Sequence, residues 1–393
     1  MSTLKVDGIR SNSASSDAIT LASDGTCTAN ITNGLSNRNL IINGAMQVAQ
    51  RGTSSTTSGY GSVDRFHLGF GGTDEAITQS QINVAPTETG AGTAGFRNAF
   101  RITNGNQTSG FGTTDYFQFH QMIEDQNIAN SGWIVNDPNS FITVSYWIRS
   151  SVAQQFFGFV ETSDGADWMY GWTTGVLTAD TWTKITKTIP GRSNLSWSND
   201  NGHGLLVAPV TLWGTDRTDN SVGNDAWHAY ASSSRTPDAT STWWTTNDAT
   251  IDITGLQVEV GSFSSDFEFR SYGDELLRSQ RYYQVSVSES QPGVLAGRGT
   301  GTSSAFCTVP LTCSLRASPS LSGSDFTQIY AYLSDGRPYS SSGTVTTNSS
   351  QFNPNGAYLN VTVGGFGGNI HDDRIVNIGG YHTNNKLTLD AEL

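Results

Sequence analysis

Four strand-length runs rich in β-branched and aromatic residues stand out in this chain: FITVSYWIRSS (141–151), TWTKITKTIPG (181–191), GLLVAPVTLWG (204–214) and TIDITGLQVEVG (250–261). Long stretches of Ser, Thr, Gly and Asn separate them, and sustained helical periodicity is nearly absent. Such runs suit pleated, half-buried surfaces, while Gly and Asn tolerate positive φ and Ser/Thr hydroxyls satisfy loop backbone. The pattern predicts an all-β fold. Composition agrees: 36% of the residues are apolar, only 14% are charged, and 43 of 393 are glycine.

In FITVSYWIRS both faces carry large apolar groups, which predicts a strand buried between two sheets. In TIDITGLQVEV, residues Ile251, Ile253, Leu256, Val258 and Val260 are expected inward, with Gly255 marking a bulge. Strands at this spacing predict a jelly-roll or β-sandwich large domain over residues 37–272. All ten tryptophans fall between Trp133 and Trp244, inside that unit.

Residues 1–36 hold only sparse apolar positions (Leu4, Val6, Ile9, Ile19, Leu21 and Ile31) around an Asp24-Gly25 turn, too few to bury a core without a partner. After the large unit, RSYGDELLRSQRYYQV (270–285) predicts one short linker helix over 273–284, best marked near 274–283. Ser271 and Asp274 would form a capping box, and Leu276, Leu277, Gln280 and Tyr283 would share a face. Residues 285–393 predict a smaller C-terminal β domain through AFCTVPLTC, QIYAYLSDG, AYLNVTVGGFGG and RIVNIGGYH.

The formal net charge is −13, with Lys5, Lys184, Lys187 and Lys386 as the lysines. An acidic surface disfavours nucleic-acid backbones and anionic membranes, which need cationic neutralisation. Cys27, Cys307 and Cys313 make no disulfide framework, and His/Cys metal spacing is absent. The start MSTLKVDGIRS has no apolar h-region, and no run approaches the ~18 apolar residues of a membrane span. Synthesis in a cytoplasm without an ordinary secretion signal is the expectation.

Catalytic patterns are weak. There is no Gly-x-Ser-x-Gly elbow or phosphate-binding fingerprint, and GGFGGN (364–369) reads as a turn. Asp64-Arg65-Phe66-His67 predicts a salt-bridged strand ending in a histidine. Glycoside hydrolysis needs two facing carboxylates; Glu161, Asp164, Asp167, Asp216, Asp219, Asp225 and the Asp372-Asp373 pair are available, with spacing that sequence leaves open. The loop ETSDGAD (161–167) could hold a structural Ca²⁺ through oxygens, although a plain turn is the simpler reading and no cofactor is indicated.

Aromatic residues give the clearest binding signal. Trp133, Trp147 and Trp182 sit in strand-like runs and are expected in the core. Trp168, Tyr170, Trp172, Trp213, Trp227, Trp243 and Trp244 sit in loop-rich surroundings, and at least one of the adjacent Trp243 and Trp244 is expected to face outward or to lie at a subunit contact. Flat rings flanked by carboxylates suit sugars, whose C–H faces stack while their hydroxyls take polar partners. Trp168, Trp172, Trp243 and Trp244, assisted by Asp164 and Asp167, are therefore the candidate carbohydrate-binding residues.

Four stretches in order carry a resemblance. NRNLIINGAMQVAQRGTS (37–54) followed by YGSVDRFHLGF (60–70) resembles the opening of a domain recurring in virion fibre and tail proteins of tailed bacteriophages, including those of marine and cyanobacterial hosts. ITGLQVEVGSFSSDFEFRSYGDELLRSQRYYQ resembles its closing strand and helix, LKVDGIRSNSASSDAITLASDGT the attachment stretch before it, and KLTLDAEL a terminal strand. Within the opening stretch, Leu40–Ile42 would be the first strand, Asn43-Gly44 a turn, and Met46 and Val48 inward. The resemblance implies a carbohydrate-binding-module-like jelly roll on a homotrimeric fibre, attached to other virion proteins through residues 1–36. Its implied function is recognition of host surface polysaccharide during adsorption. A capsid-decorating or tail-structural role is the alternative, and a polysaccharide depolymerase tailspike comes last.

Overall fold

The computed structural model of the chain describes residues 6–12, 17–21, 23, 27–29, 37–288, 295–300, 304–322, 329–333, 338–341, 345–347, 358–364, 375–380 and 386–393. Leu4, Lys5, Ile31, Asp24-Gly25, residues 365–369 and Asp372-Asp373 lie outside them.

Near the N-terminus β1 (Gly8–Ile9), β2 (Ile19–Leu21) and β3 (Cys27–Ala29) pair in that order. The large unit contains β4 (Ser54–Ser55), β5 (His67–Gly71), β6 (Thr78–Asn83), β7 (Asn98–Thr103), β8 (Tyr116–Glu124), the short helix α1 (Asp125–Ala129), β9 (Phe141–Ser150), β10 (Gln155–Thr162), β11 (Trp168–Val176), β12 (Thr183–Pro190), β13 (His203–Trp213), β14 (Trp227–Ala229) and β15 (Thr250–Val260). These form two six-stranded antiparallel sheets, β12-β9-β15-β7-β6-β4 and β14-β11-β10-β13-β8-β5. The architecture is the jelly-roll sandwich that the alternation implies.

The core between the sheets follows strand periodicity. Ile142, Val144, Tyr146 and Ile148 of β9 and Ile251, Ile253, Leu256 and Val258 of β15 meet Leu205, Val207, Val210 and Leu212 of β13 and Phe117 and Phe119 of β8. Burying one such side chain contributes about 1.5–3 kcal/mol. Gly255 is the expected bulge: its φ is +64° and the β15–β9 register shifts between Thr254 and Gln257. Val260, expected inward, is 40% exposed, because the chain leaves the sheet at Gly261. The second face of β9 meets no further sheet. Loop and tail segments cover it instead, leaving Trp147 only half-buried.

The opening stretch is not a strand. Residues 41–45 bend and turn, with Asn43 and Met46 at positive φ. Two backbone bonds tie it to β15, Leu40 N to Val258 O and Leu256 N to Gly44 O, and buried side chains satisfy further backbone groups. Asn39 Oδ1 accepts from Ile41 N and Val258 N, each at 3.0 Å, and Gln121 exchanges two hydrogen bonds with Ile42. Asn43 Oδ1 accepts from Val48 N at 2.9 Å while its Nδ2 donates to Val48 O and Asp64 O. Met46 and Val48 are fully buried, as expected. Asp64-Arg65 likewise lies in a turn, Arg65 having φ +72°, and β5 begins only at His67. The ion pair expected there is long-range, with Glu392.

Helix α2 (Tyr272–Gln280) starts at the expected capping box: Ser271 Oγ accepts from Asp274 N at 3.1 Å and donates to Asp274 Oδ2 at 2.7 Å. Its buried face differs from expectation. Glu275 and Ser279 are buried, Leu277 is 49% exposed, and Tyr283 belongs to the next strand. The helix packs on the strap 37–43, whose Asn43 N–H donates to Glu275 Oε2 at 2.7 Å, so a polar face is required.

Beyond α2 lie β16 (Tyr283–Ser288), β17 (Leu295–Gly299), β18 (Ser304–Pro310), β19 (Ser320–Ser322), β20 (Ile329–Leu333), β21 (Pro338–Ser341), β22 (Val345–Thr347), β23 (Tyr358–Gly364), β24 (Ile375–Gly380) and β25 (Lys386–Asp390). They pair as β16-β25-β19 and β21-β20-β24-β17-β18-β23-β22. Cys307 and Cys313 are free thiols, and burial pushes the Cys307 thiol up to about 12. Residues 390–392 return to the large unit: Arg51 pairs with Asp390 (3.0 Å) and Glu392 (3.2 Å), and Arg65 with Glu392. The Arg65 guanidinium also lies 3.4 Å over the Tyr282 ring. Three of the stretches singled out in the sequence thus meet at one buried charged cluster.

Candidate functional site

Most of the tryptophans expected at a ligand surface are structural. Trp172 is fully buried, its Nε1 donating to Tyr146 Oη at 3.1 Å. Trp243 and Trp244 are both 0% exposed. Trp243 packs edge-on to Phe117, and Trp244 Nε1 donates to Gly110 O at 2.9 Å. The expectation that one of the pair faces outward fails because residues 241–248 form turns, where strand alternation does not apply. Trp168 is half-buried, with the Arg192 guanidinium 3.5 Å over its ring and the core against it. Of the other loop-rich aromatics, Trp213 is buried on β13 and Trp227 is half-buried on β14.

The assisting carboxylates lie in the loop before β11. Asp164 accepts from Ser198 N, and Asp167 is exposed with its carbonyl taken by Tyr230 N. Asp125, which sequence reading missed, is buried beside Asp164 and Asp200. Its carboxyl is pushed up to about 7, first by burial and then by those two neighbours. Glu161 is pushed up to about 7 by burial, against the opposing pull of Arg235. Among the described residues no group of three or more His, Cys, Asp or Glu side chains could hold a metal ion.

On the outer face of the second sheet, Arg217 and Arg235 interleave with Tyr116, Trp213 and Tyr230, at 4.1–5.7 Å from ring centroids. The guanidinium groups already occupy the ring faces there. The outer face of the first sheet differs. A pocket of ≈ 480 Å³ is lined by Ala94, Phe96, Ser145, Trp147, Lys184, Gly255, Asp266, Phe267 and Phe269. Strand alternation explains its floor: Ser145 and Trp147 point opposite to Tyr146 and Ile148, which fill the core. Lys184 on β12 is the cross-strand partner of Trp147, and Thr254 on β15 lies on its other side.

The wall is aromatic. Phe96, Phe267 and Phe269 form a triad with centroids 4.9–5.1 Å apart. The bulge makes room for it: a Cβ at Gly255 would lie 2.4 Å from the Phe96 ring. Gly95, at φ +103°, similarly admits Phe269. Phe269 is 51% exposed. It also lines an adjoining pocket of ≈ 510 Å³ with Asn37, Leu277 and Arg278.

Behind the triad the face is locked by charge. Arg149 and Arg101 both bind Asp252, at 2.7 Å and 2.6 Å, and Arg149 also pairs with Glu88 at 3.0 Å. Glu88 accepts from Trp182 Nε1 at 2.9 Å, and that bond foremost holds its carboxyl below the usual range. Trp182, expected in the core, is buried in this outer cluster with Phe96 instead. Trp147, also expected in the core, supplies the groove's accessible indole. The signal was present in the sequence, since FITVSYWIRS places Trp147 in phase with Thr143, Ser145 and Arg149.

No family model matches the chain, and no curated protein matches it. Several solved structures overlap it in outline. The enzymatically active domain of tailspike protein 4 of bacteriophage CBA120 shares 11% identity, over 57% of this chain and 21% of that one, with a TM-score of 0.31. A putative sugar-binding protein of Bacteroides thetaiotaomicron shares 11%, over 57% of this chain and 100% of that one, at 0.30. The family 11 carbohydrate-binding module of Clostridium thermocellum, in complex with a β-1,3-1,4-mixed-linked tetrasaccharide, shares 12%, over 54% and 98%, at 0.24. The chain spans 21% of that tailspike's length. Overlap at this level bears no argument about ligand or activity.

Proposed function

We propose that this chain is a carbohydrate-recognising fibre or tail protein of a tailed-phage virion, and that the groove over Trp147 and Phe269 is its sugar-binding surface. One observation supports the reading above the rest. A pocket of ≈ 480 Å³ combines half-exposed aromatic faces with a hydroxyl, an ammonium and a carboxylate, from Ser145, Lys184 and Asp266. That is the complement a pyranose needs: a flat apolar face to stack on and polar groups at the rim. The lining holds one carboxylate, Asp266, where glycoside hydrolysis uses two across the scissile bond. Binding without cleavage is therefore the reading.

The virion role rests on the sequence resemblance, with residues 1–36 attaching the chain to the particle and three copies displaying the groove together. Trimerisation would let weak single sites hold a cell through avidity. Titration of host polysaccharide against wild-type protein and Trp147→Ala should show at least a tenfold loss, with the melting temperature within about 2 °C. Unchanged affinity in Trp147→Ala and Phe269→Ala together would sink the assignment of the groove. Localising the chain on purified particles separates an adsorption fibre from a capsid-decorating protein, head-lattice density favouring the latter.

A further inference from the structure

Resting on that reading, we infer that the groove selects an acidic sugar: a pyranose bearing a carboxylate or sulfate ester, stacked on Trp147 with its anion at Lys184. Trp147 and Lys184 are cross-strand partners on one sheet face, so their side chains rise together, with Cβ atoms about 5 Å apart. That spacing places an ammonium beside a ring stacked on the indole.

The availability of Lys184 sets it apart from the cations around it. Arg149 and Arg101 are held by Asp252, Arg149 also by Glu88, and Lys187, on the same strand, pairs with Asp225 at 3.1 Å. Among the described residues the Lys184 ammonium makes no ion pair or hydrogen bond, and the residue is exposed at the groove. The Trp147 indole N–H is also without a partner there, leaving a second donor for the same anion or a neighbouring hydroxyl.

Net charge makes the inference discriminating. At −13 the molecule as a whole repels polyanions. Non-specific electrostatics therefore predict a preference for neutral glycans, and only a local cation within about one Debye length, ~8 Å at physiological salt, reverses that sign. The Asp266 carboxylate in the same lining disfavours an anion on its own side, which orients the acidic substituent toward Lys184.

The test uses the full chain and paired glycans. Polygalacturonate and alginate are compared with their methyl-esterified forms, and a sulfated galactan with its desulfated form, in 150 mM salt. Wild-type protein should bind at least one charged member about tenfold or more tighter than its neutral pair. The pair that responds tells carboxylate from sulfate. Lys184→Gln should equalise that pair by weakening the charged member at least about fivefold more than the neutral one, and Trp147→Ala should weaken both. Equal or reversed affinity in wild-type protein overturns the acidic-sugar inference and leaves the binding groove standing. Charge preference that survives Lys184→Gln overturns it as well. No binding to any member, charged or neutral, overturns the groove reading itself.

Discussion

Gly255 links a local irregularity to a binding surface. Its positive φ and the Phe96 ring above it leave no room for a side chain. Gly255→Ala combines left-handed strain with overpacking, each costing about 1–3 kcal/mol. We expect a matching fall in unfolding free energy by chemical denaturation, together with weakened glycan binding as the phenylalanine triad shifts. Arg65 is the corresponding residue in the charged cluster. It is fully buried, paired with Glu392, donating to Met122 O at 2.7 Å and stacked on Tyr282. Arg65→Met leaves Glu392 with Arg51 alone and removes the buried bond to Met122 O, and should cost about 3 kcal/mol. A loss under 1 kcal/mol in equilibrium urea melts would show that the pair adds nothing. Both residues sit inside stretches that were conspicuous in the sequence, yet their roles depend on partners 159 and 327 positions away.

Elements were legible where the cause was local. The strands over 141–150, 183–190, 203–213 and 250–260, the bulge and the capping box of α2 all follow from neighbours in sequence. Ser271→Ala should therefore destabilise by about 1 kcal/mol, the usual value of a lost N-cap, read as a shift in the urea midpoint at constant slope. Elements whose conformation depends on distant side chains were misread. Leu40–Ile42 has strand composition, but after the single bond of Leu40 N to Val258 O the next three N–H groups go to the side chains of Asn39, Gln121 and Glu275, so no ladder continues. The hydrophobic face assigned to α2 failed for the same reason, because its partner offers an N–H rather than an apolar surface.

At the scale of the molecule, the titrating groups gather on the sheet β14-β11-β10-β13-β8-β5. His120 is buried in a stack on His67, ring centroids 4.6 Å apart, and burial foremost holds it well below the usual imidazole value. His67 and His203 are lowered by burial too. The unfolded chain takes up those protons near pH 6.5 while the folded chain resists, so stability falls as pH drops below about 6.5. Asp64, pushed up to about 6, and Glu161, pushed up to about 7, act oppositely. They keep protons that the unfolded carboxylates release, and the stability they contribute is lost as pH rises through 6 to 7. The two sets oppose each other between about pH 4 and 6.5, so the His120 contribution is read by difference: His120→Gln should make the slope of unfolding free energy against pH below 6.5 less positive by up to one proton. An unchanged slope in that variant would remove His120 from the account.

The sequence by itself determined the all-β class, the jelly-roll strand set, the bulge and the helix start, because alternation, β-branching, glycine and capping are properties of adjacent residues. Only the tertiary structure decided which aromatic rings face a ligand. Strand alternation assigns Trp147 to the polar face, but whether that face is open depends on residues 85–97 and 262–269 folding over it from either side. Likewise Trp172, Trp243 and Trp244 lost their surfaces to Tyr146, Phe117 and Phe111, rings far off in sequence. Burial is set by which segments meet, and that is a property of the folded chain.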